Sequence, residues 1–151
     1  MTPKFRTALF AGSFNPFTIG HKSIVDRTLS LCDRVVIGLG ANPDKPDDSV
    51  DARIKAIERV YADDPRVTVE RYSGLTVDFA RECGADFMVR GVRSVADFEY
   101  ERNLADVNLH ISGIETLLLT AMPELSYISS SMVRELASHG RDVTEYLPKT
   151  K

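Results

Sequence analysis

The chain has 151 residues, 43% of them hydrophobic and 27% charged, enough to bury one core and too few to divide comfortably, so a single domain over residues 1–151 is expected. A formal charge of -3 leaves no global positive field to hold nucleic acid or an anionic membrane, and any phosphate must be met by a local cluster. Cys32 and Cys83 have neither metal-ligand spacing nor a disulfide framework and read as small buried thiols; with no signal-peptide core and no apolar run of the ~20 residues that a membrane span needs, a soluble, cytoplasmic protein is expected.

In chain order, residues 6–11 read as a first strand, followed by a Gly-bracketed loop and a helix over 21–31, where Ile24, Val25, Thr28, Leu29 and Cys32 recur at helical spacing. A strand over 34–40 leads into a polar, proline-containing loop and a helix over 50–61. Strands over 66–71, 86–90 and 115–120 then alternate with helices over 75–83, 95–111 and 129–139. The last helix offers Met132, Val133, Leu136 and Ala137 as its buried face. The strings TALFA, RVVIGLG and ETLLLT are apolar almost throughout, the pattern of strands covered on both faces in a parallel sheet. Strand–helix alternation predicts an α/β fold, a doubly wound, Rossmann-like, five-stranded parallel sheet with helices on both faces. Ligands in such sheets bind outside the carboxyl ends of the strands.

The first of those ends carries Gly12-Ser13-Phe14-Asn15-Pro16-Phe17-Thr18-Ile19-Gly20-His21. Glycine permits close backbone approach to a bound group, and the following helix start offers unpaired N–H groups to an anion. No Gly-Lys-Ser/Thr follows and the three-glycine dinucleotide spacing is missing, which disfavours both of those nucleotide folds. A histidine at a helix N-terminus has its cation disfavoured by the helix dipole unless an anion binds beside it, so His21 reads as a phosphate contact. The alternative is that Ser13, Thr18 and His21 only cap a helix and close a turn, and on this segment the two readings weigh equally.

Two further segments bear on phosphate. Arg90-Gly91-Val92-Arg93 stands at the end of a predicted strand, where two arginines flanking a glycine can grip separate phosphate groups. Ser129-Ser130-Ser131 opens the last helix; one serine can cap it, leaving other hydroxyls and amides to donate to a phosphate. Each string alone is short enough to be a charged turn or an ordinary helix start, and Lys45, in the loop after the second strand, is by itself a solvent-exposed lysine.

Together these segments carry a resemblance. Thr18-x-Gly20-His21 after a first strand resembles the nucleotidyltransferase superfamily with a His-x-Gly-His motif, in the threonine variant that is similar to the phosphopantetheine adenylyltransferase family. Arg90-Gly91-x-Arg93 with Asp97-Phe98-Glu99-Tyr100-Glu101, the Ile128-Ser129-Ser130-Ser131-x-x-Arg134 string and the Pro43-x-Lys45 loop resemble that family's segments in the same order. Departures are Ser13 and Asn15 where the family has Thr and Asp, Leu125 in place of an aromatic, and Leu75-Thr76 in place of Leu-Met.

The resemblance implies transfer of AMP from ATP to 4'-phosphopantetheine with Mg²⁺, and a homohexamer. It implies His21, Lys45 and Arg93 as catalytic residues, with Ser13, Lys45, Thr76 and Arg90 contacting the acceptor. For ATP it implies Ser13, Phe14, His21, Gly91, Val92, Arg93, Glu101 and the run Leu125, Ser126, Tyr127, Ile128, Ser129, Ser130, Ser131, with no metal ligand from the protein. The rival readings are a transferase of the same superfamily acting on nicotinamide mononucleotide or glycerol phosphate, a nucleotide-sensing module without chemistry, and a structural subunit.

Overall fold

The five strands β1 (Thr7–Gly12), β2 (Arg34–Gly40), β3 (Val67–Tyr72), β4 (Phe87–Val92) and β5 (Thr116–Thr120) lie in one parallel sheet in the order β3-β2-β1-β4-β5 in a computed structural model that describes residues 6–41 and 49–150. Between and after them run α1 (Ile19–Thr28), α2 (Ser49–Val60), α3 (Thr76–Glu82), α4 (Val95–Ser112) and α5 (Ser130–Ser138). This is the doubly wound, Rossmann-like arrangement. The chain winds outward from β1 through β2 to β3, then crosses back to place β4 on the other side of β1. A crevice opens at the carboxyl ends of β1 and β4, where the order reverses.

Continuous apolar strands make sense in the middle of this sheet because each of the three inner strands, β2, β1 and β4, serves two cores. Ala8 and Phe10 of β1 pack with Val35 and Ile37 of β2 against Ile24, Val25 and Leu29 near α1 and Ile57 of α2. Leu9 and Ala11 face the opposite side, with Val36, Met88 and the α3 residues Val77, Phe79 and Ala80. β5 departs from the expected double cover. It sits at the sheet edge, and Leu117 is 39% exposed, because the described part of the chain supplies no complete layer over it.

Element ends shift by up to three residues, the largest at the end of α1, expected at 31 and found at Thr28. α1 begins before His21 because Thr18 is its N-cap, and β4 runs through Gly91 and Val92 because both pair with β5. In α5 only Val133 is fully buried and Ala137 is exposed, so the helix docks by its first turns rather than along a full stripe. Both cysteines are free and partly rather than fully buried, with burial raising each thiol's pKa.

Gly38 in β2 is a packing requirement. A Cβ there would lie 3.0 Å from the Phe79 ring and 3.1 Å from Leu9, beneath the Phe79–Tyr72 ring stack at 4.7 Å. Gly38→Val should therefore destabilise the fold by about 1–3 kcal/mol through overpacking, measured as a lower urea midpoint at unchanged m-value.

Candidate active site

At the carboxyl ends of β1 and β4 lies a cavity of about 270 Å³, bordered by Ser13, His21, Arg90, Arg93 and Ser129–Ser131. The starts of α1 and α5 both meet it. Their first amides have no acceptor within their own helix, so two partial positive charges converge on the same space.

His21 owes its placement to a capping box. Its backbone N–H donates to the Thr18 hydroxyl at 3.3 Å, while its ring Nδ1 accepts from the Thr18 backbone N–H at 2.9 Å. An Nδ1 that accepts carries no proton, so the neutral ring bears its hydrogen on Nε2. Phe17 stacks on the ring at a centroid distance of 5.4 Å and Phe14 meets it edge-on at 5.0 Å. Phe14 reaches that position with a positive φ of 47°, which turns its ring back under Gly12. Burial and then the charges of Arg90 and Arg93 push the His21 pKa down to about 4. The capping and functional alternatives of the sequence are thus not exclusive, because the cap itself fixes which nitrogen holds the proton.

Arg90 leaves β4 and makes a two-pronged pair with Glu101 of α4, Nε to Oε2 at 2.8 Å and Nη2 to Oε1 at 2.7 Å. A third N–H, on Nη1, donates to the Ala11 carbonyl. Burial opposes the Arg90 charge, but the Glu101 carboxylate outweighs it and holds the pKa above its usual value. Of the five guanidinium N–H groups, two remain to meet an anion. Arg93 lies nearer solvent, its backbone N–H donating to Asp97 at 3.1 Å and its Nε 3.4 Å from the same carboxylate. Gly91 between them lets α1 approach, since a Cβ there would stand 3.1 Å from Ile24.

The three serines divide their work. Ser129 caps α5, accepting from Met132 N–H at 3.0 Å; Ser130 donates to the Pro16 carbonyl at 2.7 Å; and Ser131 accepts from Arg134 at 3.3 Å. Arg134 also donates to the Asn15 carbonyl, so α5 is tied twice to the loop that leads into α1 and His21.

A second cavity of about 150 Å³ lies between α4 and the sheet and shares Ala11, Gly12, Arg90 and Glu101 with the first. Its walls are largely apolar, with Leu104, Ala105 and Asn108 from α4 and Tyr72, Met88 and Thr116 from the strands. Thr76 is here, its hydroxyl 2.9 Å from that of Tyr72.

Most residues that the sequence singled out therefore meet around these two spaces. Ser13, Phe14, His21, Gly91, Arg93, Leu125, Ile128 and Ser129–Ser131 border the first, Thr76 the second, and Arg90 and Glu101 both. Val92 is buried and Ser126 partly buried, and neither borders the first cavity; Tyr127 is exposed against Tyr146. Lys45 lies outside the described residues.

Comparison with known proteins agrees with this geometry. The cytidylyltransferase-like family model matches residues 9–136, from within β1 to all but the end of α5. A phosphopantetheine adenylyltransferase of Phocaeicola vulgatus is 53% identical over 145 residues, 95% of this chain and 96% of that protein. Another from Porphyromonas gingivalis is 54% identical over 147 residues, 97% of this chain and 96% of that one. The chain belongs to the phosphopantetheine adenylyltransferase family. Among solved structures, a bifunctional NMN adenylyltransferase/ADP ribose pyrophosphatase from Francisella tularensis superposes with a TM-score of 0.71 at 14% identity. The match covers 97% of this chain but 45% of that one, a likeness of fold alone.

Sequence reasoning missed Asn108, Leu104, Ala105, Tyr72 and Thr116. The signal for the α4 group was present: Glu101, Leu104, Ala105 and Asn108 follow i, i+3, i+4, i+7 and so share one helix face. The strand residues had no such local mark.

The His21 pKa fixes a pH dependence. An unfolded histidine titrates near 6.5 and this one at about 4, so the unfolded chain takes up the proton first. This group's contribution to stability should be complete above pH 6.5 and fall progressively from there toward pH 4. An NMR titration should show the His21 ring unchanged between about pH 5.5 and 8; a midpoint near 6.5 would refute the enclosure argued above.

Proposed function

We propose that the chain transfers AMP from ATP to the phosphate of 4'-phosphopantetheine, reversibly, forming dephospho-coenzyme A and pyrophosphate in coenzyme A biosynthesis. The observation that carries this reading is the junction at Arg90, where a polar cavity flanked by two helix N-termini meets a smaller, largely apolar one. A phosphate with a long, mostly uncharged tail fits that pair of spaces when the phosphate rests on the free edge of Arg90 and the tail enters beneath α4.

The chemistry needs no general base. A phosphate monoester is already anionic at neutral pH, and what must be overcome is its repulsion from the triphosphate. Catalysis is then positioning and charge stabilisation of an in-line displacement at the α-phosphorus, without a covalent enzyme intermediate. In this reading His21 donates its Nε2 hydrogen to an α-phosphate oxygen, and its neutrality keeps it a fixed donor. Arg93 and the amides opening α5 hold the departing pyrophosphate, with Ser13 at the rim and Lys45 joining from the loop after β2. Glu101 acts by holding Arg90.

Mg²⁺ belongs to the same proposal. Both acidic residues bordering the larger cavity are committed, Asp97 to Arg93 and Glu101 to Arg90, which fits a cation held by phosphate oxygens and water rather than by protein carboxylates. Bound there, it would neutralise part of the phosphate charge. Self-association as a homohexamer is proposed from the outer side of α4, where Tyr100, Val107 and Ile111 are 63%, 56% and 51% exposed, continuous in kind with the bare β5 edge. No helix among the described residues is long and apolar enough to cross a membrane, in keeping with the proposed cytoplasmic location.

A pyrophosphate-release assay with MgATP tests the reading directly. With 4'-phosphopantetheine the product mass should be that of dephospho-coenzyme A; release with nicotinamide mononucleotide alone would keep the superfamily and overturn the acceptor. His21→Ala should lower kcat by roughly 10²–10³-fold while the KM for ATP stays within severalfold. A raised KM at unchanged kcat would remove His21 from the transition state.

A further inference from the structure

The cavity beneath α4 contains one polar atom that the fold does not satisfy. Thr116 Oγ1 is buried and has no hydrogen-bond partner among the described residues. Thr116 opens β5 and pairs in register with Met88 of β4, and both residues border the cavity. Its neighbours there do not relieve it: the Tyr72 and Thr76 hydroxyls bond each other, and Leu9, Met88 and Leu104 are apolar. A buried hydroxyl left unpaired is disfavoured, and a valine of nearly the same shape would remove the cost. Thr116 thus weakens the empty protein and has the character of a group whose partner arrives with a ligand.

The ligand's chemistry follows from the other walls. The two charged residues that border this cavity, Arg90 and Glu101, are paired with each other, and Arg90 stands two positions along β4 from Met88, the residue opposite Thr116, so the partner that suits Thr116 is a neutral polar group carried on an otherwise apolar stretch. Asn108 borders the same space, and its side-chain amide can both donate and accept. A secondary amide within an extended chain matches both groups, and the tail of the proposed acceptor contains such amides between a phosphate end and a thiol end. We propose that Thr116 is a specificity-determining residue that hydrogen-bonds an amide of the acceptor's tail. This rests on the function proposed above.

The test compares wild type with Thr116→Val, Thr116→Ser and Thr116→Ala. Removing the hydroxyl in the valine variant should raise the KM for 4'-phosphopantetheine by roughly three- to tenfold, the loss of one neutral hydrogen bond, with KM for ATP and kcat within twofold. The serine variant should restore the wild-type value, and the ligand-free valine variant should melt no lower than wild type. Alanine removes the same hydroxyl without the β-branched shape, so its acceptor KM should rise too even if valine fails to fold. With an acceptor cut back to the phosphate-bearing end and lacking the tail amides, wild type and hydroxyl-free variants should coincide. An unchanged acceptor KM in the hydroxyl-free variants, or an equal defect with the shortened acceptor, overturns the proposal. Wild type that forms no dephospho-coenzyme A would instead overturn the function on which it rests.

Discussion

The pairing of Arg90 with Glu101 organises the space around it. Glu101 is the one fully buried residue of an 18-residue helix, at 6% exposure, and a carboxylate so placed needs a charged partner and hydrogen bonds to both oxygens. Arg90 supplies both. In return the guanidinium is anchored between β4 and α4 with one edge open, at the wall common to the two cavities. Removing either partner leaves a charge stranded, so this contact is better understood as fixing position than as adding stability.

A second constraint comes from the reversal of strand order between β1 and β4. Neighbouring strands whose chains depart in opposite directions leave a crevice that no connection crosses, and the loops leaving both strands reach it. Thr18 then does two things with one residue. It caps one unpaired amide of α1, that of His21, and, through its own backbone N–H, selects the tautomer of the His21 ring. Many histidines are oriented by a carboxylate, which would raise their basicity. Here a backbone amide does it, and the imidazole stays neutral.

The alternation of strands and helices was plain in the chain, as were the strings around Gly12, Arg90 and Ser129, because each depends on residues close together in sequence. The partners of Arg90 were not, since Ala11 is 79 residues away and the pairing follows from strand order, which no periodicity encodes. The double duty of the serines was similarly hidden: Ser130 was legible as part of a phosphate-binding helix start, but its hydroxyl goes to Pro16, 114 residues earlier. β5 misled for a related reason. ETLLLT reads as a strand covered on both faces, and the described chain leaves it an edge, because hydropathy reports that a surface must be covered without saying by which copy of which chain.

α4 has two working sides on one rigid rod. Glu101 and Asn108 face the cavity while Tyr100 and Val107 face outward, and each outward residue is the immediate chain neighbour of an inward one. A helix held by its own ladder of backbone hydrogen bonds moves as a body, so the wall of the inner space and the surface offered to other molecules cannot be displaced independently. The thickness of a single helix is all that separates what the protein encloses from what surrounds it.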